Sequence, residues 1–290
     1  MLRAVIPAIA VAVWMSAAPP ASTRPSVSAQ PSVKDIMRRV AGYVDAYGPR
    51  VSIVVATEHY TQQARRAAPS MPEKRQIVAE FAIVKVDQDR GWQGFRDVIE
   101  VDGTRLPDRD DRLVRVLTQP GRYDEARRLS DESARFNIGP IERNFNVPTT
   151  VLFFFGSANL ERFKFSAESV DAAGLWVIEY RETTRPTLIR TPAGTSVPSN
   201  GTLWVNPSDG TVVRTRLQVE GFAMRARLGT RSRGTGSVDV TYQRVPALDM
   251  WLPASMDEDF EVRDGEHRDS ATGRALYSNY RQFTTTGRIK

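Results

Sequence analysis

In 290 residues there are only two histidines, His59 and His267, and no cysteine. A thiolate nucleophile, a disulfide scaffold, cysteine-ligated zinc and an iron–sulfur site are therefore excluded, as is a site of three histidine ligands. The polar clusters that remain each have a simple structural reading beside the chemical one. Glu58-His59 stands at the end of a strand-like run, and adjacent strand residues point to opposite faces, which works against a dyad. Glu266-His267 falls in a charged turn. No two histidines lie four apart on a helix, so no metal is expected. Asp108, Asp110 and Asp111 lack the glycine and distal glutamate of a calcium loop. Asp257-Glu258-Asp259 alternates along a strand and puts two carboxylates on one face. Paired carboxylates can cleave glycosides, though exposed strand acids are far commoner. Gly229 to Gly236 carries Arg231 and Arg233 and can hold an anion, but no helix follows to complete a phosphate cradle. Phe155-Gly156-Ser157 lacks the first glycine of a nucleophile elbow. The balance favours a non-enzyme with no catalytic residue and no cofactor. A hydrolase using Glu58 and His59 is the alternative.

What remains is apolar. Phe153, Phe154, Phe155, Phe163, Phe165, Trp176, Trp204 and Trp251 crowd the second half of the chain or its lead-in. They read either as ordinary core or as the lining of a curved sheet that holds an acyl chain, since ligand pockets are mostly apolar with few polar groups. On the second reading Phe153, Phe155, Trp176 and Trp204 are the ligand-binding residues.

The elements that must position these residues follow from periodicity. Val33, Ile36, Met37, Val40, Val44 and Tyr47 recur at steps of three and four, the mark of an amphipathic helix ended by Gly48-Pro49. Val51 to Tyr60, Gln76 to Asp87 and Phe95 to Val101 are strands, with Asp102-Gly103 as a tight turn. Asp110 to Gly139 changes to helical spacing, with Ala126, Leu129, Ser133 and Phe136 inward. Val147 to Phe155 is apolar on all sides and is expected as a short helix, since Pro148 suits a first turn. From Arg162 onward the chain reads as strands and hairpins. Asp209-Gly210 and Asp264-Gly265-Glu266 are turns, Gly229–Gly236 is a loop, and Leu276–Thr284 is the last strand. Short hairpin loops make neighbours antiparallel. The expected fold is α+β: a curved antiparallel sheet, or half-barrel, of about nine strands with an N-terminal helix and a helical insertion.

The run Gly201-Thr-Leu-Trp-Val-Asn-Pro-Ser-Asp-Gly-Thr-Val-Val-Arg214 resembles the hairpin of periplasmic outer-membrane lipoprotein carriers. Val238-Asp-Val-Thr-Tyr242, Leu248-Asp-Met-Trp-Leu-Pro253 and Tyr277-Ser-Asn-Tyr-Arg-Gln-Phe283 continue the likeness, which covers about residues 160–285, the start of the chain and the first helix. The chain is similar, too, to secreted proteins of soil bacteria. The resemblance implies an incomplete barrel wrapped around helices with an apolar cavity between. It also implies carriage or sensing of lipids or lipid-modified proteins. The chain departs from the carriers in length and in the Asp110–Gly139 region.

The start of the chain bears on compartment. Met1-Leu2-Arg3 precedes an uncharged run from Ala4 to Met15, too short for the roughly 20 residues of a bilayer span. Small residues follow, the layout of a secretory signal peptide. The expected domains are a signal peptide, 1–29, cleaved after Ala29, and one half-barrel domain, 30–290. The formal charge falls from +6 to +4 on removal of 1–29, which carries Arg3 and Arg24 and no acid. Basic residues are scattered among acids, unlike the one-sided patch of a nucleic-acid binder. The expected protein is exported, periplasmic or secreted. It takes an apolar ligand or lipid-modified protein, with an envelope partner as the alternative, and has no nucleic acid and no membrane span after cleavage.

Overall fold

The computed structural model describes residues 31–50, 53–66, 71–85, 92–119, 123–139, 147–191, 194–225 and 231–283. The expected signal peptide lies outside them. Helix α1 (Val33–Arg50) opens on a capping box. The Asp35 N–H donates to Ser32 Oγ at 3.2 Å, and the Ser32 N–H donates to Asp35 Oδ2 at 3.4 Å. Its buried stripe is Ile36, Met37, Val40, Val44 and Tyr47, as the spacing demands.

Among the described residues eleven antiparallel strands form one sheet. They are β1 (Ile53–Arg65), β2 (Glu73–Lys85), β3 (Trp92–Val101), β4 (Thr104–Arg105), β5 (Phe163–Val170), β6 (Trp176–Glu182), β7 (Ser199–Val205), β8 (Val212–Arg225), β9 (Arg231–Val245), β10 (Met250–Asp264) and β11 (His267–Phe283). Their order is β4-β3-β2-β1-β11-β10-β9-β8-β7-β6-β5, so the sheet ends on β4 and β5 and does not close. Register shifts such as those at Val55/Thr57, Pro253/Ser255 and Glu220/Phe222 add bends, as bulges do.

The sheet exceeds the expected nine strands, and two of its strands start early. Thr104–Arg105 pairs back on Glu100–Val101 after the Asp102-Gly103 turn. The expected Gly229–Gly236 loop is strand from Arg231. Its glycine has a packing reason: a Cβ on Gly236 would lie 2.4 Å from the Phe260 ring on β10. The last strand begins at His267 rather than Leu276, because β10 pairs with it from the turn onward. Small residues Ala271, Gly273 and Ala275 there give no hydrophobic run, so only the cross-strand register reveals it.

Three further α-helices lie among the described residues: α2 (Arg112–Leu117), α3 (Tyr123–Ala134) and α4 (Thr150–Phe154). Helices α1 and α4 cover one face of the sheet, called inner here, in a continuous apolar layer with residues such as Phe81, Leu203, Val240 and Phe260. On the other face, Leu113, Val116 and Leu117 of α2 with Ala126 and Leu129 of α3 pack on Ile53, Val55, Ala82, Val84 and Phe95. Helix α3 also caps backbone of β3. The Arg96 N–H donates to Ser130 Oγ at 2.8 Å and the Val98 N–H to Ser133 Oγ at 3.0 Å. This explains why a helix otherwise poor in apolar residues buries Ser133 and half-buries Ser130. Asp97 is fully buried beneath these helices. It accepts from Arg109 at 3.0 Å and from Arg112 at 2.9 and 2.7 Å, which ties α2 to β3.

Candidate functional site

The inner layer places three of the four expected ligand-binding residues on one side of the sheet. Phe153 is half-buried on α4 and packs on the layer. Phe155, at the end of α4, is 0% exposed. Its ring meets Phe163, Phe165 and Tyr180 at centroid distances of 5.1, 5.8 and 5.0 Å. Trp176 pairs with Val205 across β6 and β7, and so shares the inner face. Trp204 is the exception. It pairs with Val177 and points to the outer face, one step from Leu203 and Val205, which point inward. There the Arg214 guanidinium covers it at 4.5 Å and Arg216 at 5.9 Å. A single surface made from all four residues is therefore not formed; Phe153, Phe155 and Trp176 make up its inner part.

The layer is filled by the protein's own side chains. Leu152, Phe155, Leu203 and Phe260 are each 0% exposed. Its polar atoms are less well provided for. Tyr43 Oη, Thr149 Oγ1 and Thr215 Oγ1 are buried without a hydrogen-bond partner among the described residues. They come from α1, the approach to α4, and β8. Close by, the Tyr242 hydroxyl donates to the Pro148 carbonyl at 2.7 Å. Burial pushes the Tyr43 and Tyr242 hydroxyls well above their ordinary range, so both stay protonated.

A second polar group lies on the inner face of β1, β3, β10 and β11. Glu58 is 0% exposed and accepts from Arg96 Nη2 at 2.7 Å and from the Tyr277 hydroxyl at 2.7 Å, with Arg96 Nε on its other oxygen. Burial opposes the Arg96 charge, but the Glu58 carboxylate outweighs it and raises the guanidinium pKa. Tyr277 is driven up by burial first and by Glu58 second. The Tyr60 hydroxyl donates to Glu258 on β10. Gly273 makes that contact possible, because a Cβ there would lie 2.6 Å from the Tyr60 ring and 2.7 Å from Glu258 Oε1.

This arrangement answers the hydrolase alternative. His59 is exposed on the face opposite Glu58, so the two form no dyad. Both oxygens of Glu58 are engaged, one by Arg96 Nη2 and the Tyr277 hydroxyl and the other by Arg96 Nε. In Asp257-Glu258-Asp259, Glu258 faces inward and is 4% exposed, while its neighbours face out. Among the described residues no group of three His, Asp or Glu is placed to hold a metal. The signal missed in the sequence is the alternation Glu58, Tyr60, Gln62 against His59, Thr61, Gln63. It puts the polar residues of β1 on the same face as Ala56 and Ala64, which marks them as inner.

No family model matches the chain, and no curated protein matches it. Solved structures do. One is a LolA superfamily protein from Nitrosomonas europaea, at 10% identity over 86% of this chain and 94% of that chain, with a TM-score of 0.31. Another is a DUF1329 family protein from Desulfovibrio piger, at 11% identity over 88% and 95%, with a TM-score of 0.31. A third is lipovitellin, at 11% identity over 81% of this chain and 26% of that chain, with a TM-score of 0.28. The half-barrel itself stands on the strand order and register given above.

Proposed function

We propose that the protein is an exported, non-enzymatic binding protein of the cell envelope that holds a lipid, an acyl chain or the lipid of a modified protein against the inner face of its half-barrel. The observation that carries this reading is the nature of the cover. A wide apolar layer is closed by α1 and by a five-residue helix, α4, and not by a second sheet. Phe154 and Phe155 at the end of α4 lie on Phe163 and Phe165, so displacement of α4 would uncover these rings for a ligand whose own apolar contacts replace those lost. The unpartnered hydroxyls of Tyr43, Thr149 and Thr215 at the same interface offer donors to a carbonyl or headgroup oxygen. A dozen methylenes at about 0.8 kcal/mol each contribute about 10 kcal/mol, which leaves about 5–6 kcal/mol, or binding near 0.1 mM, after an association cost of about 4 kcal/mol. Residues 1–29 supply the export signal in this account.

The fullness of the layer around Phe155 favours a second reading, an envelope sensor or scaffold that binds a partner protein. A fluorescent fatty-acid probe separates the two. Because Phe155 is fully buried, a charge there would unfold the protein; Phe153→Ala and Trp176→Ala are the informative variants. On the carrier reading the probe binds and the double variant weakens it about tenfold while the melting transition remains cooperative. No binding by the folded wild-type protein would leave the scaffold reading.

A further inference from the structure

At the far end of β9, β10 and β11, three arginines stand in one row on the outer face. Arg263 is paired directly with Arg233 on one side and with Arg268 on the other. Like charges directly opposite one another destabilise a sheet. Among the described residues a single acid forms ion pairs with them. Glu261, one position further along the same face, takes Arg263 on one oxygen and Arg268 on the other. The Arg263 hydrogen bond, foremost, holds its carboxyl below the ordinary range. Glu261 is therefore ionised and already engaged. Arg233 is exposed and has no carboxylate partner among the described residues. An open cleft of about 390 Å³ lies between Arg233, Thr235, Glu261 and Arg263. A smaller one of about 230 Å³ adjoins it through Arg263 and is lined also by Gly265, Glu266, His267 and Arg268.

We infer that this row is a binding site for a tetrahedral oxyanion of the phosphoryl class. The site lies on the face opposite the apolar layer and is independent of the carrier reading. Each guanidinium offers a planar fork of donors that matches two oxygens of a phosphate. The Thr235 hydroxyl at the cleft supplies another donor. Placed between Arg233 and Arg263, the anion neutralises two opposed charges at once, so binding relieves a repulsion that the empty sheet carries. Neighbouring outer-face arginines lack this surplus: Arg214 and Arg216 share Asp239 at 2.7 and 2.8 Å, and Arg274 faces Asp257 at 3.4 Å.

The phosphoryl group can belong to a free anion or to a lipid headgroup, and the test has an arm for each. Inorganic phosphate is titrated into the full chain by calorimetry. In parallel the chain is sedimented with vesicles of phosphatidylcholine, alone or containing phosphatidic acid. Binding in either arm is expected to fall about tenfold or more in Arg233→Gln/Arg263→Gln, the loss of a charge-assisted contact, and to stay unchanged in Arg274→Gln. Phosphate binding without vesicle binding assigns the site to a free anion, and vesicle binding alone assigns it to a lipid. The melting temperature gives a second readout. In phosphate-free buffer the double variant should melt no lower than wild type, and phosphate should raise only the wild type. Equal losses in Arg274→Gln and in the double variant would reduce the effect to overall charge and overturn the site. So would the absence of binding in both arms by the folded wild-type protein.

Discussion

Glu58 and Arg96 show what a sealed charge pair means in this sheet. Both lie beneath the inner layer, Arg96 with 12% of its side chain exposed and Glu58 with none. Removing one partner from such a pair leaves the other charge buried, which costs far more than the pair contributes. Glu58→Gln should therefore destabilise by about 3 kcal/mol in urea unfolding. The outer pair Arg274–Asp257, with 64% and 51% exposure, is its control. Asp257→Asn should cost well under 1 kcal/mol, as exposed pairs do. Equal, small losses at both sites would mean that Arg96 reaches water and that the inner polar group is not enclosed.

The β7–β8 hairpin joins residue conformation to element packing. Gly210 has φ of +78°, and its N–H donates to the Asn206 carbonyl at 2.9 Å. A Cβ there would lie 2.3 Å from the Arg39 carbonyl carbon, in the backbone of α1. Gly210→Val thus meets strain and collision together and should destabilise by roughly 3 kcal/mol. Gly103, at φ of +80° with open space around it, carries the strain alone, and Gly103→Val should cost roughly 1 kcal/mol. Equal melting temperatures for the two variants would mean that α1 does not rest on this turn. The sequence signals that succeeded were local ones: the 3-and-4 spacing of α1, the inner stripe Ala126–Leu129–Ser133 of α3, and the glycine turns at 210 and 265. Those that failed depend on partners distant in the chain. Arg231–Gly236 looks like a loop until Phe260 is placed opposite Gly236. Trp204 looks like a lining residue until its register with Val177 turns it outward. Arg96 and Glu58 are 38 residues apart, and nothing local joins them.

The described residues form an open, curved antiparallel sheet with two contrasting faces. The inner one carries the apolar layer under α1 and α4 and the buried Glu58–Arg96 pair, and the outer one is apolar under α2 and α3 and carries paired arginines elsewhere. The proposed export, the proposed apolar ligand beneath α1 and α4 and the proposed oxyanion on the outer rim would together suit a protein working beside a membrane. The central claim is that the inner layer takes an apolar ligand, and native mass spectrometry of the full chain expressed for export and purified from a periplasm tests it most directly. The account predicts a mature N-terminus between about residues 19 and 30, and a population of ions heavier than the bare chain by the mass of an acyl lipid. That population should disappear on denaturation and diminish in Phe153→Ala/Trp176→Ala. A single species at the mass of the bare chain, recovered folded and without adduct from lipid-replete cells, would contradict it.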